Sequence, residues 1–357
     1  MFKRLLTLLL FICALYGPGA LAESVLFLNP GTQKEAFWTS YSQFMHAAAK
    51  DLGMDLRIIY SDRSTAVILQ QARDALQGKD RPDYLVFANE QSVAPQILRM
   101  AQGSGVKLFM VNNALTADQL ALLGERGDRV GSLVANDEEG GYLLLKELIR
   151  RHPPAAPGQT LELLAFSGLK ITPASQLREK GMMRALAEHP EVRLRQVVYG
   201  GWTRERAYEQ AKLLFRRYPA TSLVWAANDE MLFGAMQAYT ESGGTPGKGA
   251  LFGGVNNSAA ALQAMVDGQI SVLVGGHFAL GGWALVQLHD HEQGVDISQY
   301  GGRDQRIPLL QLIDRAQAKR LLAMGAVPDY GVNFRRLSAK GRPSSYRYPF
   351  DLQTLMH

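Results

Sequence analysis

Cysteine is almost absent from this chain of 357 residues, since Cys13 is the only one. A single thiol excludes an intramolecular disulfide framework and a metal site built from several cysteines. The fold must therefore be stabilised by hydrophobic cores. The length corresponds to about two domains of roughly 150 residues, each large enough to bury a substantial core.

The chain also lacks a strong charge bias. Hydrophobic residues make up 47% of the sequence and charged residues 20%, a balance typical of globular proteins and not of disordered or polytopic membrane proteins. The formal net charge is +5, and Lys3 and Arg4 near the N-terminus supply two of these charges. Because no basic run is present, we expect no nucleic acid among the partners.

Motifs that accompany catalysis or cofactor binding are missing as well. The sequence has no Gly-x-Ser-x-Gly nucleophile elbow, no Gly-x-x-x-x-Gly-Lys-Ser/Thr phosphate loop and no Gly-x-Gly-x-x-Gly turn after a strand. The cluster His289-Asp290-His291-Glu292 resembles a metal site, but histidines two apart point to different sides of a helix, which favours a solvated helix end. We predict a protein that is not an enzyme and holds no metal and no cofactor.

The first 22 residues have the three parts of an export signal. A positive start, Met1–Arg4, precedes an apolar stretch from Leu5 to Tyr16, and Ala20-Leu21-Ala22 forms a small-x-small cleavage site. The alternative is a membrane anchor, but a stretch of twelve residues is too short to cross roughly 30 Å of hydrocarbon. We predict cleavage after Ala22 and a mature protein in the periplasm.

Apolar β-type runs alternate with amphipathic helical stretches from Ser24 onward, which is the pattern of parallel sheets covered by helices on both faces. The alternation breaks at the proline-rich segment 150–158 and then restarts. We therefore predict an α/β protein of two doubly wound, Rossmann-like lobes. The predicted strands are Ser24–Leu28, Asp55–Tyr60, Asp83–Ala88, Lys107–Val111 and Arg129–Val134, then Leu161–Phe166, Arg193–Tyr199, Ser222–Ala227, Ala250–Val255 and Ile270–Val274.

Two of these strands end in a similar way. The first is followed by Asn89-Glu90 and the second by Asn228-Asp229, in each case after an apolar run that ends in alanine. Each asparagine would then lie just beyond the carboxyl end of a parallel strand, where open α/β sheets bind ligands. Two generic buried strands with asparagine in the turn would give the same pattern, and the repeat alone does not choose between these interpretations.

Aromatic residues stand at the start of the first predicted helix. Phe37 and Trp38 follow the loop that contains Gln33, directly after the first strand. A flat ring at this position suits the C–H face of a sugar, and nearby amides can satisfy its hydroxyls. We assign Trp38 to the pocket and favour the core for Phe37, which is also a candidate ligand-binding residue.

With these features, the sequence resembles the type I periplasmic binding proteins of the ribose-binding kind over nearly the whole mature chain. The most specific match is Asn-Asp-x-x-x-x-Gly-Ala from Asn228 to Ala235, after an apolar strand. The resemblance implies two lobes joined by a three-segment hinge that closes over a small ligand without catalysis. The other matching segments are Phe37-Trp38, 136–141, 178–181 and 253–256.

The resemblance also implies roles for individual residues. Arg178 corresponds to the ligand-gripping arginine of the family, and Asn228 to its hydrogen-bonding asparagine. Trp202 falls where relatives place a second aromatic, so that Trp38 and Trp202 would enclose a ligand from opposite lobes. Asn256 stands where sugar binders often have aspartate. For Arg178 and Asn228, a surface ion pair and a helix cap are the structural alternatives.

The chain departs from the family pattern at two places. Sugar-binding relatives carry an Asp-Arg pair after the fourth strand, whereas this chain has Asn112-Asn113. Near the second hinge segment, Gly275 replaces a glutamine, and His277 follows shortly after. Both changes remove charge or side chain from the pocket, which favours a smaller, neutral or differently functionalised ligand over an unmodified pentose or hexose.

The lobe boundaries follow from the resemblance and the pattern. We assign residues 23–135 and 275–302 to the first lobe, and residues 136–274 and 303–325 to the second. A strand is expected around Ile307–Leu310. The remaining residues, 326–357, form a basic C-terminal tail without clear periodicity. This tail is either a solvated wrap or a docking surface for a membrane partner.

The predicted function is capture of a small polar, sugar-like ligand by a monomeric periplasmic protein that presents it to the membrane permease of an ABC importer. The alternative is a receptor, similar to those for autoinducer-2 or amine oxides, that regulates a membrane sensor kinase or cyclase. A LacI-type effector domain is disfavoured by the export signal and by the absence of DNA-reading helices. An exported enzyme is disfavoured because no catalytic constellation is present.

Overall fold

The computed structural model describes residues 22–123, 128–154, 160–327 and 329–355. Two six-stranded sheets, each covered by helices, divide these residues into two lobes. The α/β class and the two-lobed architecture are therefore confirmed. Residues 1–21, which hold most of the predicted export signal, lie outside the described residues.

The first sheet is fully parallel. Its strands are β1 (Ser24–Asn29), β2 (Asp55–Tyr60), β3 (Tyr84–Phe87), β4 (Lys107–Val111), β5 (Arg129–Ala135) and β11 (Asp304–Ile307). They are arranged in the order β11-β5-β4-β3-β1-β2. Every residue of β3 is buried, as expected for a central strand with helices on both faces.

The second sheet repeats this arrangement. Its strands are β6 (Leu161–Ser167), β7 (Val192–Tyr199), β8 (Thr221–Ala226), β9 (Leu251–Val255), β10 (Val272–Gly275) and β12 (Gln311–Ile313). Their order is β12-β10-β9-β8-β6-β7, with β12 antiparallel to β10 and the other neighbours parallel. In both sheets, the carboxyl ends of the parallel strands of one lobe face the other lobe across a cleft.

The helices cover the two sheets. Their bounds are α1 (Ala36–Leu52), α2 (Thr65–Gln77), α3 (Ala94–Met100), α4 (Ala117–Leu123), α5 (Asp137–Arg151), α6 (Pro173–Ala187), α7 (Arg204–Arg217), α8 (Asp229–Glu241), α9 (Ala259–Val266), α10 (Leu280–Glu292) and α11 (Arg315–Gly325). Helix α1 ends at Gly53, whose φ of 77° is the left-handed conformation that glycine adopts without strain. Helix α10 packs on α1 in the first lobe, and α11 packs on α9 in the second.

The chain crosses between the lobes at three neighbouring points, which form a hinge, and a fourth time after α11, where the C-terminal tail returns to the first lobe. The hinge crossings are Asn136 before α5, Gly276 before α10, and the segment 308–310 between β11 and β12. The side chain of Asn136 joins two of them, because its Nδ2 donates to the carbonyl of Leu310 (3.3 Å) and its Oδ1 accepts from the Leu310 N–H (2.9 Å). At Gly276, φ is 122° and a Cβ would lie 2.4 Å from the Leu309 carbonyl oxygen, so only glycine fits.

The strand pairing corrects one lobe boundary. The prediction that the second lobe resumes at residue 303 is wrong, because β11 pairs with β5 in the first sheet, from Asp304 opposite Ser132 to Ile307 opposite Ala135. The single strand predicted around Ile307–Leu310 is in fact two short strands in different lobes. Pro308 follows β11 directly, and a residue without an N–H cannot continue the ladder.

The C-terminal tail is packed against the first lobe, so the interpretation as a solvated wrap is wrong. The ring of Phe334 lies 5.2 Å from that of Phe44 on α1, and the ring of Phe350 stacks on Trp283 of α10 at 5.2 Å with an interplanar angle of 8°. Phe334 and Phe350 are almost fully buried. The tail is largely irregular in structure, so its apolar residues follow no helical or strand period that the sequence could reveal.

The tail also explains the cluster at the end of α10. The carboxylate of Asp290 is buried and accepts hydrogen bonds from the Tyr348 hydroxyl (2.8 Å), the Ala339 N–H (2.7 Å) and the Ser338 hydroxyl. On the neighbouring turn, Nδ1 of His291 lies 2.8 Å from the hydroxyl of Tyr84. The predicted solvated helix end is therefore an attachment point for the tail.

Candidate functional site

A cavity lies between the two lobes at the carboxyl ends of their parallel strands, where open α/β sheets bind ligands. Its volume is ≈ 50 Å³. At the ~10–15 Å³ that one water requires, this is room for a small ligand only. The residues that line it are Glu35, Ala36, Phe37, Trp38, Arg63, Glu90, Asn112, Asn113, Thr172, Ala174, Arg178, Trp202, Asn228, Asp229, Glu230, Asn256 and His277.

The lobes touch directly around this cavity. The hydroxyl of Thr172 in the second lobe donates to Oε1 of Glu90 in the first (3.3 Å). The backbone N–H of Ala174 donates to Oδ1 of Asn113 across the same gap (3.0 Å). The structure is therefore a closed form of the two-lobed molecule.

Arg178 is held at the centre of the site. Its side chain is nearly fully buried, and its Nε donates to Oδ1 of Asp137 (2.8 Å) while Nη1 donates to the carbonyl of Ala227 (2.6 Å). Nη2 lies 3.2 Å from Nε2 of His277. Three of the five guanidinium N–H groups are thus used by the protein, which leaves two for a ligand. The surface ion pair with Glu179 that was the alternative does not form, because Glu179 binds Ser167 instead.

Trp202 covers the same guanidinium. Its ring centroid lies 5.8 Å from Cζ of Arg178, within the range of a cation–π contact. A Cβ on Gly168 would lie 2.2 Å from this indole, so glycine is needed for the ring to fit. The indole Nε1 is buried and has no hydrogen-bond partner among the described residues. It is a donor that a ligand could satisfy.

The first two aromatic residues of α1, Phe37 and Trp38, have different surroundings from those predicted. Trp38 lines the cavity but is 3% exposed, and its ring lies 5.2 Å from Tyr41 and 6.4 Å from Phe27 in the core. Phe37 is only partly buried and stacks on the ring of His277 at 4.6 Å. Trp38 therefore lines the cavity as predicted but is also part of the core, whereas Phe37, which was expected in the core, lines the cavity and contacts His277.

His277 joins the hinge to the site. Burial and the adjacent Arg178 guanidinium lower the pKa of this imidazole well below its ordinary value, so the ring is neutral. A guanidinium only donates, and Nε2 must therefore accept, which assigns the proton to Nδ1. That Nδ1 is buried and has no partner among the described residues, which makes it a second donor without an acceptor.

The loops after β8 and β9 supply a connected polar cluster. Oδ1 of Asn228 caps α8 by accepting from the Met231 N–H (2.9 Å), and its Nδ2 donates to the carbonyl of Trp202 (3.0 Å). Oδ1 of Asp229 accepts from Nδ2 of Asn256 (2.8 Å). Asn228 therefore lines the cavity and also has the capping role that was its structural alternative.

The first lobe contributes a network that was not expected. The guanidinium of Arg63 donates twice to the carboxylate of Glu35, with Nε 3.0 Å from Oε1, and its Nη1 lies 3.5 Å from Oε1 of Glu90. Oε2 of Glu90 accepts from Nδ2 of Asn113 (3.2 Å). Burial raises the pKa of the Glu90 carboxyl above its ordinary value, while nearby Arg63 acts in the opposite direction.

Four lining residues have unusual backbone conformations. Arg63, Asn112, Trp202 and Asn256 have φ values of 57°, 63°, 70° and 98°. Asparagine adopts positive φ more readily than most residues, but a tryptophan there is strained. Such strain concentrates at ligand sites, where the surrounding structure holds it in place.

Two predicted site residues lie elsewhere. Gln33 is exposed and does not line the cavity, because the loop directs it to the outer surface of the first lobe. Asn89 is fully buried and its side chain is occupied by Ala94, Ala114 and Gln119. These two residues do not line the cavity, whereas the other nine predicted site residues do.

Sequence reasoning missed Glu35, Arg63, Glu90 and Thr172. A signal existed for Glu90, because the two similar strand ends are each followed by Asn-acid, and in both lobes the acid lines the cavity. Arg63 follows β2 in a turn with φ of 57°, and no motif marks it. Among the described residues, no group of three or more His, Cys, Asp or Glu is arranged to hold a metal.

The comparisons decide the family. The model of the periplasmic binding protein domain matches residues 25–294. This chain belongs to the periplasmic binding protein family. Together with the solved relatives, the match confirms the predicted resemblance to the ribose-binding kind, and it confirms that the chain is a binding protein and not an enzyme. Family membership implies a periplasmic location, while the cleavage site after Ala22 remains a prediction.

Three similar proteins illustrate this membership. The crystal structure of a periplasmic sugar-binding protein from Pseudomonas fluorescens is 58% identical, covers 94% of this chain and 100% of that chain, and has a TM-score of 0.88. The galactofuranose-binding protein YtfQ of Escherichia coli is 30% identical over 50% of this chain, a match that spans 54% of YtfQ. The ribose import binding protein RbsB of Escherichia coli is 23% identical over 68% of this chain and 77% of RbsB.

In the part of the chain that the structure covers, no helix is both long enough and apolar enough to cross a membrane.

Proposed function

We propose that this protein is an exported solute-binding protein that captures a small, sugar-like ligand in the interlobe cavity by hinge closure and presents it to the permease of an ABC importer. The observation that carries the proposal is the cavity itself. It combines the rings of Phe37 and Trp202 with the amides, carboxylates and guanidiniums of two lobes. Rings that cover C–H faces and polar groups that bind hydroxyls are what a sugar requires.

The relatives support the sugar class. A protein that is 58% identical over 94% of this chain is described as sugar-binding, and the two curated relatives bind galactofuranose and ribose. The closed form supports capture between the lobes, because the contacts of Glu90 with Thr172 and of Asn113 with Ala174 exist only when the lobes meet. We expect the mature protein to act as a monomer.

Thermal unfolding of the mature chain with D-galactose, D-ribose, L-arabinose and D-allose tests the proposal. A sugar at a hundredfold excess over its Kd stabilises the folded state by roughly 2.7 kcal/mol. Autoinducer-2 and trimethylamine N-oxide belong in the same screen. A shift with these two and with none of the sugars would reject sugar binding and favour the sensory receptor.

The role in the cell requires a second measurement. If the protein serves an importer, a strain that lacks it loses uptake of the bound sugar. Normal uptake combined with loss of a sugar-dependent response would instead assign the protein to a membrane sensor kinase or cyclase.

A further inference from the structure

The cavity has an excess of negative charge. The carboxyl groups of Glu35, Glu90, Asp229 and Glu230 line it, against the guanidiniums of Arg63 and Arg178. Arg204, outside the lining, pairs with Glu230 (3.0 Å), and the carboxyl groups still outnumber the cations. His277 does not reduce this excess, because burial and Arg178 lower its pKa and keep the ring neutral. A ligand therefore meets more carboxylates than cations.

Neither arginine is available as a free positive charge. Arg178 is paired with the carboxylate of Asp137, which lies behind it and is itself almost fully buried (2.8 Å, 4% exposed). Arg63 pairs with Glu35 through two donors and contacts Glu90 with a third. Both guanidiniums are neutralised by the protein, so neither is left to balance an anionic ligand.

The carboxylates of Glu90 and Asp229 approach the cavity from opposite lobes. Asp229 is 1% exposed and is held by N–H donors of Asn256 and Glu230, and it forms no ion pair within the described part of the chain. Glu90 is 6% exposed and shares the positive charge of Arg63 with Glu35. Carboxyl oxygens have acceptor sites to spare, and they accept from hydroxyl or ammonium donors.

Two buried donors accompany these acceptors. Nε1 of Trp202 and Nδ1 of His277 belong to cavity-lining residues that are more than nine-tenths buried, and neither atom has a partner among the described residues. A hydroxyl group can accept from such a donor while it donates to a carboxylate. The combination fits an uncharged polyhydroxylated ring.

We infer that this cavity selects sugars without negative charge, either neutral or amine-bearing, that it rejects sugar acids and sugar phosphates, and that Glu90 is a residue that sets this selectivity. The inference rests on the proposed function and deepens it. A carboxylate or phosphate on the ligand would be placed beside like charges in a desolvated site, an arrangement that strongly disfavours the wrong partner. Glu90 is chosen as the selectivity residue because it lines the cavity, contacts Arg63 and accepts a hydrogen bond from the Thr172 hydroxyl of the opposite lobe.

Isothermal titration of the mature protein with matched probes tests the inference. D-galactose is compared with D-galacturonate and D-galactosamine, D-ribose with D-ribose 5-phosphate, and D-allose with D-allose 6-phosphate. We expect each neutral sugar that binds to do so at least 100-fold more tightly than its anionic counterpart. Equal binding within threefold would overturn the inference and leave sugar binding intact, whereas absence of binding by every probe would remove the proposed function and the inference together.

The variant Glu90→Gln keeps the size of the side chain and removes its charge. We expect it to lower the affinity for the neutral sugar at least tenfold. We also expect the ratio of neutral to anionic affinity to fall at least tenfold, an effect that loss of stability alone would not produce. The matched control is Glu188→Gln, an exposed glutamate paired with Lys146 away from the cavity, which should leave both affinities unchanged. An unchanged ratio of neutral to anionic affinity in Glu90→Gln would contradict the assignment of selectivity to Glu90. If this variant does not fold, the ratio measured on the wild-type protein still tests the charge selectivity of the cavity.

Discussion

Nη2 of Arg178 in the second lobe lies 3.2 Å from Nε2 of His277 at the edge of the first lobe. The same guanidinium donates to Asp137 and to the carbonyl of Ala227 within its own lobe. Arg178 is therefore a cavity residue, a partner for a buried carboxylate and a contact between lobes at the same time.

The first prediction concerns this triple role. Arg178→Ala should abolish sugar binding and should also destabilise the unliganded protein by about 3–5 kcal/mol, because it leaves the Asp137 carboxylate buried without a partner. Calorimetric titration and urea unfolding measure the two effects separately.

The paired change Arg178→Ala with Asp137→Ala provides the control. Removal of both charges should restore a substantial part of the lost stability but no binding. If Arg178→Ala unfolds at the same urea concentration as wild type, the buried ion pair does not contribute to the stability of the protein.

The second prediction concerns pH. The pKa of His277 is well below 6.5 in the folded protein, whereas the unfolded chain has the ordinary value of 6.5. Below pH 6.5 the unfolded state therefore binds a proton that the folded state does not, so stability falls as the pH falls. At pH 5.5 the loss attributable to this residue is on the order of 1 kcal/mol.

The variant His277→Gln isolates this contribution, because buried carboxyls such as Glu90 have raised pKa values and act in the opposite direction over part of the same range. Unfolding of both proteins at pH 7.5 and 5.5 should show a steeper loss for wild type. Parallel pH profiles would mean that the pKa of His277 is the same in the folded and unfolded states.

Much of the fold could be predicted because its signals are local. Buried strands such as β3 read as short apolar runs, and the Asn-Asp-x-x-x-x-Gly-Ala segment lies at the strand-to-helix turn where the family has it. Arg178 and Trp202 were assigned to the site through the resemblance to the family, and both line the cavity.

The remaining features depend on contacts between distant parts of the chain. Arg63 and Glu90 meet 27 residues apart through two separate turns, and Tyr348 reaches Asp290 over 58 residues. Neither pair has a sequence pattern of its own.

Trp38 shows the same limit. From the sequence, Trp38→Ala should affect ligand binding alone. A tryptophan that is 3% exposed is part of the core, so this variant should lose stability as well.

The third prediction concerns the tail. Phe350→Ala should destabilise the protein by about 3–5 kcal/mol, since it removes a ring that is 2% exposed and stacks on Trp283. Arg347→Ala, a change of an exposed residue in the same segment, should cost less than about 0.5 kcal/mol. Thermal and urea unfolding compare the two variants, and equal stabilities would show that the tail does not belong to the folded core.

The fourth prediction concerns closure. Thr172→Val keeps the shape of the side chain but removes the hydroxyl that donates to Glu90 across the cleft. Loss of one such hydrogen bond costs about 1 kcal/mol. Because this bond exists only in the closed form, the cost should fall on closure and weaken sugar binding roughly fivefold.

Thr240→Val is the matched control, since it also removes a hydroxyl hydrogen bond (3.0 Å to the carbonyl of Met236), but on a helix surface within one lobe. It should leave sugar affinity unchanged. Small-angle scattering of the unliganded proteins should show a more open average shape for Thr172→Val than for wild type or Thr240→Val. If Thr172→Val binds sugar and scatters as wild type does, the contact with Glu90 contributes nothing to the free energy of closure. A bond that stabilised the closed form would have to shift the balance between the open and closed forms when it is removed.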